Sequence, residues 1–258
     1  MLSESLFLRY QRQISLPEIG EQGQLSLIQS HVLIIGCGGL GTAASLYLAA
    51  SGTGRLVLVD DDVVESSNLQ RQVAYRQSDL KQNKARALIK QLEQLNPHIK
   101  LRSIDHRLSD EQLSLEVMLA DVVLDCSDNL HTRQQINRIC YFQKTPLISA
   151  AAIGWQGQFS VFDFAREAPC YRCLIPFDNT HQNTQCSDLG VVGPVVGTLG
   201  NYQALAAIQK LATGRFSVKA NQLHIFNGET MQWQTVDIMR DSECKVCASV
   251  MNLTEVES

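Results

Sequence analysis

Four cysteines of this chain are spaced for metal chemistry. Cys170 and Cys173 form one C-x-x-C pair in "CYRC", and Cys244 and Cys247 form a second in "CKVC". Two such pairs can hold one tetrahedral Zn²⁺ through four thiolates. The gap between them is far longer than in small zinc modules. A metal there would staple the chain's end to its middle and leave no open position for catalysis. A redox C-x-x-C is the competing reading, and the presence of two pairs favours structural zinc.

A second constellation could handle phosphate. In "HVLIIGCGGLG", Gly36, Gly38 and Gly41 fit the pattern G-x-G-x-x-G. Glycines of this kind let backbone approach phosphate closely, and the helix that follows points its first N–H groups at the anion. Gly39 and Cys37 inside the loop are small residues where backbone and nucleotide come close. Asp60 lies 19 residues after Gly41, at the end of the next apolar run. A carboxylate there can bind a ribose hydroxyl pair. The bland alternative is a tight turn followed by a solvated acid.

Arg71, in "SSNLQRQ", and Lys84 follow that acid. Taken singly, each reads as surface charge. Beside a nucleotide loop they suit a polyphosphate better than a nicotinamide, because transfer at phosphorus needs fixed cations. Asp128, in "LDCSDN", would sit just past a strand's C-terminal end, where it could hold Mg²⁺ on phosphates. It could equally cap the helix beginning near Leu130. Cys186 lies in a polar stretch and belongs to neither zinc pair; a loop thiol can act as a nucleophile if its pKa is lowered. Cys37, Cys126 and Cys140 lie in apolar contexts and read as packing residues.

These residues need a scaffold, and the pattern around them describes one. "HVLII" and "RLVLVD" are buried-strand runs flanking a helix, "GTAASLYLAASG", that ends at Gly52, so residues 31–60 form a strand–helix–strand unit. "SDLKQNKARALIKQLEQLNP" is an amphipathic helix with a Ser78 or Asp79 cap, closed by Asn96-Pro97. "KLRSIDH", "DVVLDCSD" and "PLISAAAI" read as strands, with a helix over "NLHTRQQINRICYFQ". This alternation predicts an α/β fold, a Rossmann-like, mostly parallel sheet with helices on both faces. After about residue 155 the character changes. "QGQFSVFDF" reads as an antiparallel strand, residues 177–190 as a mobile loop, the stretch after Pro194 as a helix, and "NQLHIFNGETMQWQTVDI" as a hairpin around Asn227-Gly228.

The bulk numbers exclude some classes. With 258 residues, 45% of them hydrophobic, the chain can build a real core. A net charge of -4 gives no whole-protein attraction for nucleic acid or an anionic membrane. Residues 32–54 carry no charge, but their six glycines split them into strand, loop and helix, so they are not read as a membrane span. No secretory signal is visible, so the cytoplasm is the default. In that reducing compartment eight cysteines suggest metal or chemistry before disulfides.

Together these stretches resemble the ThiF/MoeB/HesA family of adenylyltransferases, relatives of the ubiquitin-activating enzymes. The match runs from "RYQRQISLPEIG" through "GCGGLG", "DDDVVESSNLQRQ", "LDCSDN" and "CYRCL" to "CKVC". The resemblance implies ATP-dependent activation of the C-terminal Gly-Gly carboxylate of a small ubiquitin-like carrier, giving an acyl adenylate and pyrophosphate. It implies that Asp60 holds the ribose, that Asn68, Arg71 and Lys84 hold the phosphates, and that Asp128 serves Mg²⁺ and the reacting centre. Arg12 matches an arginine that reaches the partner subunit's nucleotide, so a homodimer is implied.

"CSDLGVVGPVVG", residues 186–197, looks more like the thiamine-pathway branch, with a ThiS-like carrier, than the molybdopterin branch, with a MoaD-like one. In that branch the loop cysteine, here Cys186, can bond to the carrier through an acyl persulfide. Without a C-terminal rhodanese-like extension, a separate sulfur donor of the cysteine desulfurase or rhodanese type is expected. The implied organisation is one adenylation domain over 1–258. It comprises a helical segment (1–30), a nucleotide-binding core (31–155), a crossover loop (177–190), a carrier-binding and zinc-closing part (191–250) and a tail (251–258). Two other functions compete with this one. A nicotinamide-dependent oxidoreductase explains the glycine loop and Asp60 but not Arg71, Lys84 or the paired cysteines. A non-catalytic carrier-binding scaffold does not need the full polar set.

Overall fold

The computed structural model describes residues 2–165, 167–177 and 190–248. Its centre is an eight-stranded sheet. The strands are β1 (His31–Ile35), β2 (Arg55–Val59), β3 (Lys100–Ile104), β4 (Val122–Asp125), β5 (Leu147–Ile153), β6 (Gln156–Phe162), β7 (Gln222–Asn227) and β8 (Gln232–Asp237). They lie in the order β3-β2-β1-β4-β5-β6-β7-β8. The first five are parallel, and β6, β7 and β8 are added antiparallel. This is the predicted α/β architecture with its antiparallel extension.

Both faces of the parallel part are covered, which is why its strands read as continuous apolar runs. Successive side chains of β1 go to opposite faces. Val32 and Ile34 join one core with α3 (Gly39–Ala50), α4 (Lys84–Leu95) and α8 (Gly193–Thr213). Leu33 and Ile35 join the other, with α5 (Asp110–Leu119) and α6 (Leu130–Gln143). The N-terminal segment forms α1 (Glu4–Ile14) and α2 (Gly20–Gln29), as expected, and α2 leans on α8. A short helix, α7 (Tyr171–Leu174), follows β6.

Three local expectations are corrected. Neither Ser78 nor Asp79 caps α4. Residues Gln77–Asp79 make their own 3₁₀ turn, with Asp79 accepting from the Arg76 N–H, and α4 starts only at Lys84. Its cap is Asn83, which accepts from Arg86 N–H at 3.1 Å and donates to the Asp60 carbonyl at 2.8 Å. Second, Asn129, not Asp128, caps α6, accepting from Thr132 N–H at 2.9 Å. Third, the β7–β8 hairpin does not turn tightly at Asn227-Gly228. Asn227 pairs with Gln232, its side chain accepts from the Glu229 N–H, and Met231 takes the left-handed conformation at φ 56°.

The strand order reverses between β1 and β4, where the chain leaves in opposite directions. In open α/β sheets that switch point leaves a crevice at the strands' C-terminal ends. The glycine loop follows β1 and the "CSDN" loop follows β4, so both border the crevice.

Candidate active site

A cavity of about 750 Å³ occupies this crevice. The loop glycines divide their work within it. Gly36 is left-handed at φ +95°, and a Cβ there would meet the Cys126 carbonyl oxygen at 2.5 Å. A Cβ on Gly41 would sit 1.9 Å from the Gly36 oxygen, and one on Gly39 would sit 2.5 Å from a Val196 methyl on α8. These three are glycine because strand, loop and helices touch. Gly38 differs: it borders the cavity, and a Cβ there would find nothing closer than Gln72 Nε2 at 3.7 Å. Its missing side chain keeps the approach to the N-terminus of α3 open, which fits a phosphate cradle. Gly36, Gly38 and Gly39 line the cavity, whereas Gly41 lies behind it.

Asp60 turns back over the loop. Its carboxylate accepts from the Cys37 N–H at 2.7 Å and the Asp62 N–H at 2.9 Å. Burial pushes its pKa up, opposed by the Lys84 ammonium and by those two N–H bonds. Lys84, at the first position of α4, is buried, and its Nζ reaches Asp62 Oδ2 at 2.9 Å. The phenol of Tyr75 braces both segments, donating to the Cys37 carbonyl at 2.7 Å and lying 3.2 Å from the Lys84 carbonyl.

Asn68 and Arg71 come from the short turn after β2. Asn68 is buried, its Oδ1 accepting from the Glu65 N–H at 3.1 Å. Arg71 holds the Ser67 carbonyl at 3.1 Å, and both residues line the cavity. Asp128 faces the cavity from the opposite wall, exposed and relieved of capping duty by Asn129. All eight predicted nucleotide residues other than Gly41 thus line one cavity: Gly36, Gly38, Gly39, Asp60, Asn68, Arg71, Lys84 and Asp128. Arg12 does not join them; it is exposed in the last turn of α1. Cys186, most of the 177–190 loop and the 251–258 tail lie outside the described residues.

Beneath the "CSDN" loop is a buried network the sequence reading missed. Arg133 and Asp125 pair at 3.2 Å with side chains only 7% and 1% exposed. Asp125 also accepts from the Ser127 N–H and from the hydroxyls of Ser127 and Ser149, at 3.1, 2.6 and 3.0 Å. Arg133 donates to the carbonyls of Ser127 and Ala150. A buried pair is tolerable only when its other donors and acceptors are met this fully. The network fixes residues 126–128 and hence the position of Asp128. Spacing shows Asp125 at a strand end and Arg133 one turn into α6; only packing makes the pair buried. Cys37, Cys126 and Cys140 are buried, as expected of packing residues, and burial pushes all three thiols up.

The four C-x-x-C sulfurs gather on the sheet face covered by α5 and α6. All four lie within 4.8 Å of one another, with Cys170–Cys244 at 3.8 Å and Cys173–Cys247 at 3.4 Å. Sulfurs around a tetrahedral zinc at about 2.3 Å stand about 3.8 Å apart, whereas a disulfide needs about 2.05 Å. The donor set therefore fits a metal. Asp241 N–H reaches Cys173 Sγ at 3.4 Å and Asn137 Nδ2 reaches Cys170 Sγ at 3.5 Å, the outer contacts that orient thiolate ligands. The hydrogen bond with Cys170 and the Asp241 N–H favour the Cys173 thiolate against its burial, at the cost of its neighbours Cys170 and Cys247, whose thiols are pushed up. None of the four borders the cavity.

The sequence profile of the ThiF family matches residues 10–246. The chain belongs to the ThiF family. Two bacterial proteins cover nearly the same ThiF span. The sulfur carrier protein ThiS adenylyltransferase of Escherichia coli K12 is 49% identical over 241 residues, 93% of this chain and 95% of that protein. The molybdopterin-synthase adenylyltransferase of the same organism is 40% identical over 246 residues, 95% of this chain and 98% of that one. Among solved structures, E. coli MccB with MccA-N7isoASN superposes with a TM-score of 0.80 at 23% identity, over 93% of this chain and 74% of that one. At that identity the likeness is one of ThiF-type fold. No helix among the described residues is long and apolar enough to cross a membrane.

Proposed function

We propose that this chain adenylylates the C-terminal Gly-Gly carboxylate of a small ubiquitin-like sulfur carrier of the ThiS kind, a step towards its thiocarboxylate in making the thiamine thiazole. The observation that carries the reading is one cavity lined by the glycine loop, Asp60, Asn68, Arg71, Lys84 and Asp128, in a chain 49% identical to a ThiS adenylyltransferase. In this reading the whole chain acts as one adenylation domain in the cytoplasm.

Asp60 binds the ribose of ATP, and the open N-terminus of α3 beside Gly38 takes phosphate. Asn68, Arg71 and Lys84 hold the remaining phosphate oxygens. A carrier carboxylate oxygen attacks the α-phosphorus; the bond to the bridging oxygen breaks, and pyrophosphate leaves with its electron pair. The carboxylate is already ionised at neutral pH, so no side-chain base is needed. Carboxylate and phosphate are both negative, so the cations supply positioning and charge neutralisation. Mg²⁺, held by Asp128 when bound, would further neutralise the phosphates. Zn²⁺ held by Cys170, Cys173, Cys244 and Cys247 would close the C-terminal part onto the sheet.

Arg12 would complete the neighbouring subunit's site in a homodimer. Cys186 would carry the carrier as an acyl persulfide, with sulfur from a separate cysteine desulfurase or rhodanese-type donor. The 40% identity to a molybdopterin-synthase adenylyltransferase supports a second reading, a MoaD-like carrier. Exchange of radiolabelled pyrophosphate into ATP, run with each purified carrier, tests both. ThiS-dependent exchange is expected, lost in Arg71→Ala and Asp128→Ala and kept in Cys186→Ser. Exchange unchanged in both alanine variants would refute the site.

A further inference from the structure

Gln72 follows Arg71, and the fold does not account for its side chain. The residue is 3% exposed and borders the cavity, yet its Oε1 has no hydrogen-bond partner. Among the described residues, it is the one buried and unpartnered side-chain atom whose residue lines this cavity. The backbone holds it there: Gln72 N–H donates to the Asn68 carbonyl at 2.9 Å, and its carbonyl accepts from the Tyr75 N–H at 3.1 Å. Its Nε2 is the nearest atom to the position a Cβ would take on Gly38. The carboxamide therefore stands across from the opening to the N-terminus of α3.

An unpaired buried amide oxygen weakens a fold and calls for an explanation, and a residue on a ligand cavity offers one. A neutral N–H donor here adds a hydrogen bond to phosphate without a third charge beside Arg71 and Lys84. The carboxamide sets Nε2 nearest Gly38 while Oε1 stays buried, so Nε2 is the atom that a phosphate beside Gly38 would meet.

We propose that Gln72 is a further nucleotide-binding residue, its Nε2 donating to a phosphate oxygen of ATP beside Gly38. The proposal rests on the adenylyltransferase reading. It is tested on the full chain by calorimetric titration with Mg·ATP, paired with thermal melts taken without nucleotide. Gln72→Met keeps the shape and removes both polar atoms. It should weaken ATP about tenfold while its melting temperature stays equal or rises, since an unpaired oxygen is gone. Gln72→Glu, nearly isosteric, should weaken ATP about a hundredfold at neutral pH by setting a carboxylate against phosphate. ATP affinity within about twofold of the unaltered chain in both variants would overturn the role. So would an affinity loss matched in both by a lower melting temperature. If the unaltered chain itself failed to bind ATP, the adenylyltransferase reading would fall as well.

Discussion

The ammonium of Lys84 and the carboxylate of Asp62 lie 2.9 Å apart, and their side chains are 10% and 68% exposed. The cation is held in the wall while its partner stands in solvent. A phosphate taking this lysine must share it with, or win it from, Asp62. Lys84→Met should therefore weaken ATP binding by about 10- to 100-fold. Asp62→Asn should tighten it about threefold at low salt, with the gain shrinking as salt rises. A loss in Asp62→Asn as large as in Lys84→Met would instead make Asp62 a ligand in its own right.

Two glycines of one loop should fail in opposite ways. A methyl on Gly41 would collide with the Gly36 carbonyl, a backbone atom that cannot step aside. Gly41→Ala should destabilise the chain by about 1–3 kcal/mol or more, read by denaturant unfolding. Gly38 has φ -76° and room for a methyl, but the room opens on the cavity. Gly38→Ala should unfold within about 0.5 kcal/mol of the unaltered chain and yet bind ATP poorly. Equal stability losses in both would contradict the division of labour.

Asp60 makes a pH prediction. Burial raises its folded pKa above the ordinary value of 3.8. A raised folded value contributes stability that is complete below the unfolded pKa and is lost as pH rises through the folded one. Asp60→Asn lacks that titration. Its stability relative to the unaltered chain, whatever the starting offset, should shift in the variant's favour as pH rises from below about 4 and then level off. A difference that stays flat across that range would mean Asp60 ionises as freely in the folded chain as in the unfolded one.

The four-sulfur cluster predicts a stoichiometry and a stability cost. Elemental analysis should find about one zinc per chain. Stripping it with a strong chelator, or replacing Cys244 with Ser, should lower the melting temperature by about 5–15 °C. Four freely titratable thiols in the native protein would exclude the metal. Because the cluster lies off the cavity, ATP affinity at low temperature should change little in Cys244→Ser.

Much of the site is legible along the chain because its parts are local. A glycine loop must follow a strand and open a helix to bind phosphate, and that order is written in "HVLIIGCGGLG". Asp60 reads the same way, as the end of the next strand. The two C-x-x-C pairs announce themselves by spacing, although only the fold could bring sulfurs 74 residues apart to within 3.8 Å. The caps were harder. Ser78, Asp79, Asn83, Asp128 and Asn129 are all residue types that can start a helix. The choice between neighbours depended on contacts from elsewhere, such as the bond from Asn83 to the Asp60 carbonyl.

By itself the sequence determined the parallel α/β core, the antiparallel extension, the glycine loop between strand and helix and the two paired C-x-x-C motifs. Each rests on a short-range period or spacing that backbone geometry enforces. The tertiary structure alone decided which glycine is open and which is packed, that Arg133 and Asp125 are buried as a pair, and that Gln72 stands at the cavity without a partner. Those properties belong to contacts between segments distant in sequence, where burial, not residue type, sets the energy of a polar group.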